Sequence, residues 1–227
     1  GRQAVELIPQ VRPDVVLMDM RMPVMSGLEA LQVLSRQEQL PPTIILTTFD
    51  DDQLVLAGLK AGAKGYLLKD VTLPIPQGST QIDHVIVSRF GIFVIETKNM
   101  KGWIFGNQNQ KMWTQKIYNH SNTFQNPLHQ NYKHVKTLQS LLDLNDQQLH
   151  SLIVFVGNSK FKTKMPDNVT QGGGYVRYIK SKTTPVLTKF QVREITIGIK
   201  QGRLTPSLKT SREHVKHVKE IVASKQH

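Results

Sequence analysis

The spacing of apolar positions changes along the chain, and each change marks an element. Val5, Ile8 and Val11 recur at three-residue intervals, which predicts one helix face, closed by Pro13. Val15-Val16-Leu17-Met18 is a short apolar run ending in Asp19, the pattern of a parallel strand buried on both faces. Pro23 and Gly27 break the chain. Ser26, with Glu29 three residues on, forms a capping box for a helix carrying Leu28, Leu31 and Leu34. Thr43-Ile44-Ile45-Leu46-Thr47 repeats the strand pattern, and Asp50 to Asp52 give an acidic, dipole-favoured start to a helix reaching Lys60. Gly62 and Gly65 stop it, and Tyr66-Leu67-Leu68 makes a third strand ending at Lys69. Helix and strand thus alternate as in an open parallel sheet.

Leu73-Pro74-Ile75-Pro76-Gln77-Gly78 is punctuated by proline and glycine and reads as a boundary. Beyond it, Ile82 to Val87 and Ile92 to Lys98 are β-rich runs flanking Ser88-Arg89-Phe90-Gly91, the pattern of a hairpin. With the turn centred between Arg89 and Phe90, Ser88 faces Gly91 and Asp83 faces Glu96. Opposed residues set their Cβ atoms about 4.5–5.5 Å apart on one sheet face, which Lys98 shares with Glu96. Trp103 and Trp113 flank Gly106 to Gln110 as in a second hairpin. Asn126 and Pro127 are a cap followed by a first-turn proline. Leu128, Tyr132, Val135, Leu138 and Leu142 follow at helical spacing as a core face. Ser151 to Val156 predicts a central strand. Residues 187–201 fit a strand through Ile195, Ile197 and Ile199 or a helix through Val192, Ile195 and Ile199. From Ser211 a cationic helix carries Val215, Val218 and Val222 on one face.

Charge divides at the same boundary. The 227 residues hold 29 Lys+Arg against 17 Asp+Glu, a net +12. Residues 1–72 hold 7 and 9 of these, a net −2, so residues 73–227 hold 22 and 8, a net +14. Such asymmetry points to two modules, the second facing a polyanion. A hydrophobic content of 39% excludes an intrinsically disordered chain. No run approaches the ~18 apolar residues of a membrane helix, so no membrane partner is expected. The absence of cysteine excludes disulfides, thiolate nucleophiles and cysteine-built metal centres, and fits a cytoplasmic location. The chain opens on Gly1 rather than Met, as a fragment or processed product would.

Two constellations carry chemistry. Asp19, Thr47 and Lys69 each fall at the carboxyl end of a predicted parallel strand, where open α/β sheets place their sites. An acid, a hydroxyl and an amine there suit a phosphorylated carboxylate. In the hairpin, Asp83 and Glu96 repel one another unless a cation lies between them. Oxygen ligands alone suit Mg²⁺ or Mn²⁺, and Lys98 beside them suits activation of water or stabilisation of phosphoryl charge. The plainer alternative is an exposed acid pair with Lys98 in a surface salt bridge. Gln130 and His134, four apart on one helix face, are candidates to reach the metal-bound water or a phosphate. Lys160, Lys162 and Lys164 alternate with Phe161 and Met165 in a stretch suited to tracking a nucleic-acid backbone. Gly172 to Gly174 lack P-loop spacing, so a nucleotide site is unsupported.

"PDVVLMDMRMP", "TIILTTFDDD" and "AGAKGYLLKD" resemble the receiver domain of bacterial response regulators, over about residues 1–71. That resemblance implies a flavodoxin-like parallel sheet with Asp19 as phospho-acceptor, Thr47 as switch hydroxyl and Lys69 as the partner lysine. The family's first strand with its acidic pair, its first helix, its second strand and its last helix have no counterpart. "TQIDHVIVSRFGIFVIETKNMKGWIFG", "KMWTQ" and "FQNPLHQNYKHVKTL" resemble the NERD, or nuclease-related, domain over residues 73–227. This implies a PD-(D/E)xK-like mixed sheet flanked by helices, with Asp83 and Glu96 as metal ligands and Lys98 as catalytic lysine. The family's opening helix with its Gly-Glu pair is absent, so both modules read as truncated near residue 72. The expected protein is α/β, a partial receiver-like sheet followed by a nuclease-like one. Its expected function is Mg²⁺- or Mn²⁺-dependent phosphodiester hydrolysis on DNA, with RNA left open. The alternatives are a non-catalytic nucleic-acid or protein interaction module, and a regulator phosphorylated at Asp19.

Overall fold

A computed structural model describes residues 1–47, 57–76 and 78–204. Helix α1 (Arg2–Val11), strand β1 (Val16–Asp19), helix α2 (Gly27–Arg36) and strand β2 (Thr43–Thr47) follow the expected order. α1 stops at Val11 because Arg12 turns into the left-handed region, φ 49°, and returns its N–H to the Ile8 carbonyl. Ile8 is buried while Val11 faces solvent. The Ser26–Glu29 capping box is formed, with Glu29 Oε2 accepting the Ser26 N–H at 2.7 Å. The acidic helix start at Asp50 to Asp52 lies outside the described residues, and residues 57–60 are helical.

Strand β3 (Gly65–Ile75) is longer than the spacing predicts. It was expected to end at Lys69, yet it runs on to Ile75, inside the Pro/Gly-punctuated boundary, where the chain reverses into the next strand. Val71 and Leu73 are buried, so apolar alternation continues past the lysine. Strand β4 (Gly78–Ser88) supplies the partner, with antiparallel register from Gly65↔Ser88 to Ile75↔Gly78. β2 pairs β3 only from Gly65 to Leu68. The N–H that Pro74 lacks therefore falls where no described strand lies on β3's other edge.

Strands β5 (Gly91–Asn99), β9 (Leu149–Val156) and β11 (Val169–Gln171) extend the same sheet, whose order is β1-β2-β3-β4-β5-β9-β11. β1, β2 and β3 are mutually parallel, β3 to β5 antiparallel, and β5, β9 and β11 parallel. A four-stranded second sheet holds β6 (Gly102–Phe105), β7 (Met112–Ile117), β8 (His120–Gln125) and β10 (Ser159–Phe161), in the order β10-β6-β7-β8. The hairpin expected between the tryptophans is the β6–β7 pair.

Helix α3 (Pro127–Leu142) starts at the Asn126 cap and packs over β5 and β9. Helix α4 (Gly174–Lys180) follows β11. Residues 189–202 are helix α5 (Lys189–Gly202), which resolves the ambiguous segment: Thr188 and Gln191 form a capping box, and Val192, Ile195 and Ile199 are buried. The cationic helix expected from Ser211 lies outside the described residues. Among the described residues no helix is long and apolar enough to cross a membrane.

The main core crosses the boundary. Ile45, Tyr66 and Leu68 from the receiver-like strands pack in one cluster with Val85, Val87, Leu138 and Val192. Leu68→Ala is therefore expected to destabilise the whole chain by about 2–5 kcal/mol. Urea unfolding followed by tryptophan fluorescence tests this, because both tryptophans lie beyond residue 100. The fluorescence transition should move to lower urea; an unchanged midpoint would show that the two segments unfold separately.

Candidate active site

The β4–β5 hairpin has the register expected from its turn, Ser88↔Gly91 through His84↔Ile95. The ladder stops there, one pair short of the expected Asp83 and Glu96, which come next on the two strands. Asp83 turns its carboxylate along β5 and accepts the Thr97 N–H on Oδ2 at 2.7 Å. Across β3, the ladder would set Asp70 opposite Asp83. Asp70 instead takes the left-handed region, φ 50°, and is exposed. Three carboxylates side by side on adjacent strands would repel, and this turn takes one of them out of the row.

Glu96 is only 3% exposed, on β5 between β4 and β9. Its Oε1 receives the Lys98 ammonium at 2.6 Å. Residues two apart share a strand face, which is why the E-x-K spacing brings the pair together. Lys98 Nζ also donates to Gln130 Oε1 at 3.0 Å. His134, one turn along α3 from Gln130, sets Nδ1 3.7 Å from Glu96 Oε2. Burial pushes the Glu96 carboxyl above the usual carboxylate range; the Lys98 charge and hydrogen bond pull it down, and Asp83 pushes it up again. Oε2 is buried and accepts no hydrogen bond.

The helix face that delivers Gln130 and His134 differs from expectation. Tyr132, predicted in the core, is 59% exposed, whereas Pro127, Asn131, His134 and Leu138 are buried. Asn131 explains the rotation: its amide donates to the Val94 carbonyl at 2.8 Å and to Ser151 Oγ at 2.9 Å, tying α3 to β5 and β9. Its spacing with His134 and Leu138, at three and seven residues, is the stripe that would have revealed it.

The other candidates lie elsewhere. Asp19 and Thr47 end the parallel strands β1 and β2, with Lys69 one residue beyond the Thr47↔Leu68 pair. Asp19 is exposed and accepts the Arg21 N–H at 3.0 Å, while Lys69 is exposed opposite His84. Among the described residues no ion pair joins Asp19 to Lys69. Lys160 lies in β10, and Lys162 and Lys164 follow it, exposed.

Among the described residues no group of three or more His, Asp or Glu side chains is arranged to hold a metal. Asp83 and Glu96 nonetheless fit a hard divalent cation of the kind that takes one or two carboxylates and fills its other positions with water and substrate phosphate. The buried Glu96 Oε2 without a hydrogen bond is the acceptor that such a charge would satisfy.

Comparison with known proteins gives two family matches. The nuclease-related domain matches residues 50–156, and the response regulator receiver domain matches residues 1–74. Residues 50–74 fall in both, and most of β3 lies in that overlap. An uncharacterized protein of Bacillus anthracis is 35% identical over 161 residues, which cover 67% of this chain and 74% of that protein. The transcriptional regulatory protein YdfI of Bacillus subtilis is 49% identical over 72 residues, 32% of this chain and 33% of that one. The receiver domain of the Francisella response regulator 1452 is 35% identical, with a TM-score of 0.27 over 29% of this chain and 55% of that chain.

The Glu96–Lys98 pair makes a prediction about stability. Between the ordinary carboxylate value and the raised one, the folded protein holds a proton on Glu96 that the unfolded chain has released. Stability therefore falls as pH rises from the ordinary carboxylate value through the raised one. Lys98→Met removes the nearest cation and moves the raised value higher still. Its cost should be about 3 kcal/mol at pH 7 and should shrink as pH falls toward the ordinary carboxylate value. Urea unfolding across that range checks this; a loss that is equal at acid and neutral pH contradicts the pairing.

Proposed function

Because the chain belongs to the nuclease-related domain family, joined to a receiver-type segment, we propose that it hydrolyses phosphodiester bonds in DNA. Asp83 and Glu96 would hold Mg²⁺ or Mn²⁺. The observation that carries the reading is the Lys98 ammonium held 2.6 Å from a buried Glu96, with Asp83 on the neighbouring strand, one residue past the His84↔Ile95 pair. When bound, the cation supplies positive charge to a phosphoryl oxygen and a water of lowered pKa.

The chain's own residues do the rest. An ammonium has three donors. Glu96 and Gln130 take two of those on Lys98, which fixes the direction of the third toward an attacking water or a phosphate oxygen. Gln130 is thus a positioning residue for the lysine. His134 packs against the Oε2 side of Glu96 and limits rotation of its carboxylate. Asp83, anchored on the Thr97 N–H, is held against β5 rather than swinging into solvent. The net +14 of residues 73–227 favours approach of a polyanion. A non-catalytic binding module is the second reading, favoured by the enclosure of Glu96 Oε2.

Purified protein incubated with plasmid and linear DNA in Mg²⁺ or Mn²⁺ should nick or degrade it, and EDTA should stop the reaction. Lys98→Ala and Glu96→Gln should each lower the rate by about a hundredfold or more. RNA incubated in parallel decides the nucleic acid. Equal traces of cleavage in all three proteins would sink the enzyme, and salt-sensitive binding without cleavage would leave the binding module.

A further inference from the structure

The two tryptophans have opposite fates. Trp113 is fully buried against Phe155 and Ile104, with its Nε1 donating to the Asn107 carbonyl at 2.9 Å. Trp103 is 46% exposed on the outward face of the second sheet. The registers Lys160↔Trp103, Trp103↔Lys116 and Lys116↔Ser121 run in one row across β10, β6, β7 and β8. Residues paired across strands share a face, so the ring lies between two exposed lysines. A third, Lys162, sets Nζ 4.3 Å from the ring centroid, a cation–π contact that holds the indole in place.

The charge around this row is of one sign. Residues 97–142 and 147–166, which include all four strands of the sheet, contain no Asp or Glu. Among the described residues Lys116, Lys160 and Lys162 make no ion pair. Only two residues separate the end of β5 at Asn99 from the start of β6 at Gly102, so the second sheet adjoins the strand that carries Glu96 and Lys98.

We infer that this face of the second sheet binds single-stranded nucleic acid, with Trp103 stacking on a base and the flanking lysines taking phosphates. Charge complementarity selects a polyanion, and the exposed ring selects one with accessible flat bases. An indole on a flat sheet surface can stack only on bases that are not already stacked in a duplex. An acidic polypeptide would meet the lysines and leave the ring without a partner. The inference deepens the proposed function by naming single strands as the substrate form, and it rests on that reading for what happens to the strand once bound. The binding itself does not require cleavage.

Fluorescence anisotropy of a labelled oligothymidylate titrated with the full chain in EDTA tests it. Wild type should bind with an affinity that falls steeply with salt. Trp103→Ala should weaken binding by about tenfold, and Trp103→Phe should retain most of it. Duplex of the same length should bind at least about tenfold more weakly than the single strand. Equal binding of duplex and single strand, an unchanged affinity in Trp103→Ala, or displacement of the oligonucleotide by polyglutamate at matched charge would overturn the inference. Binding is read in EDTA and cleavage in Mg²⁺ or Mn²⁺, so the two are scored separately. Failure of cleavage with Trp103-dependent binding intact therefore counts against the nuclease alone, and cleavage without Trp103-dependent binding counts against the platform alone.

Discussion

The β3–β4 ladder is the interaction on which the rest depends. It joins a strand that begins in the receiver-like segment to one that begins the nuclease-related segment, from Gly65↔Ser88 to Ile75↔Gly78. Without it β4 would be an edge strand, and its carboxylate end would lack a fixed neighbour. With it, the parallel strands β1 to β3 form a wall against which the β4–β5 hairpin is set. Tyr66 and Leu68 then share a core with Val85 and Val87. A segment whose family does signalling chemistry here provides backbone partners and apolar contacts to another family's sheet.

That frame permits an unfavourable arrangement at the hairpin's open end. Two carboxylates lie on adjacent strands just past their last paired residues, one of them 3% exposed, and the nearby cation is a single lysine. Burying a charge costs several kcal/mol, so a paired and hydrogen-bonded carboxylate is tolerated mainly where the surroundings over-determine it. α3 supplies that constraint. Its Asn131 ties the helix to β5 and β9, Gln130 shares the lysine, and His134 closes the far side of Glu96. Carboxyl pKa values raised in this way cluster at sites of chemistry, because the burial that disfavours the charge also makes it responsive to a cation or a proton. Lys116, Lys160 and Lys162 lie outside this enclosure and, among the described residues, make no ion pair, so they shape approach rather than reaction.

Elements governed by local rules were legible in the sequence. The Ser26–Glu29 box, the Asn126–Pro127 helix start and the hairpin register around Ser88 and Gly91 each rest on a few adjacent residues, and each is formed. The E-x-K spacing likewise placed Glu96 and Lys98 on one face before any tertiary contact was known. Elements decided by distant partners were not legible. Pro74, Pro76 and Gly78 read as one break; the chain does reverse between Ile75 and Gly78, but β3 reaches Ile75 because β4 pairs with it. Tyr132 fitted an apolar stripe, yet the buried face of α3 is set by Asn131, whose partners lie 20 and 37 residues away. Residues 187–201 offered both periods because Ile195 and Ile199 belong to each, and packing against β3, β4 and α3 selected the helix. The fates of Trp103 and Trp113 depend on which side of a sheet each faces, which a turn between them does not reveal.

The central claim is that Asp83 and Glu96 together hold a divalent cation beside Lys98. Calorimetric titration of Mn²⁺ into the full chain and into Asp83→Asn addresses it without reference to activity. The account predicts one saturable site in the wild type that is lost in the variant, with binding weakening as pH falls and Glu96 takes up its proton. Identical titrations of the two proteins, or no saturable binding in either, would contradict it.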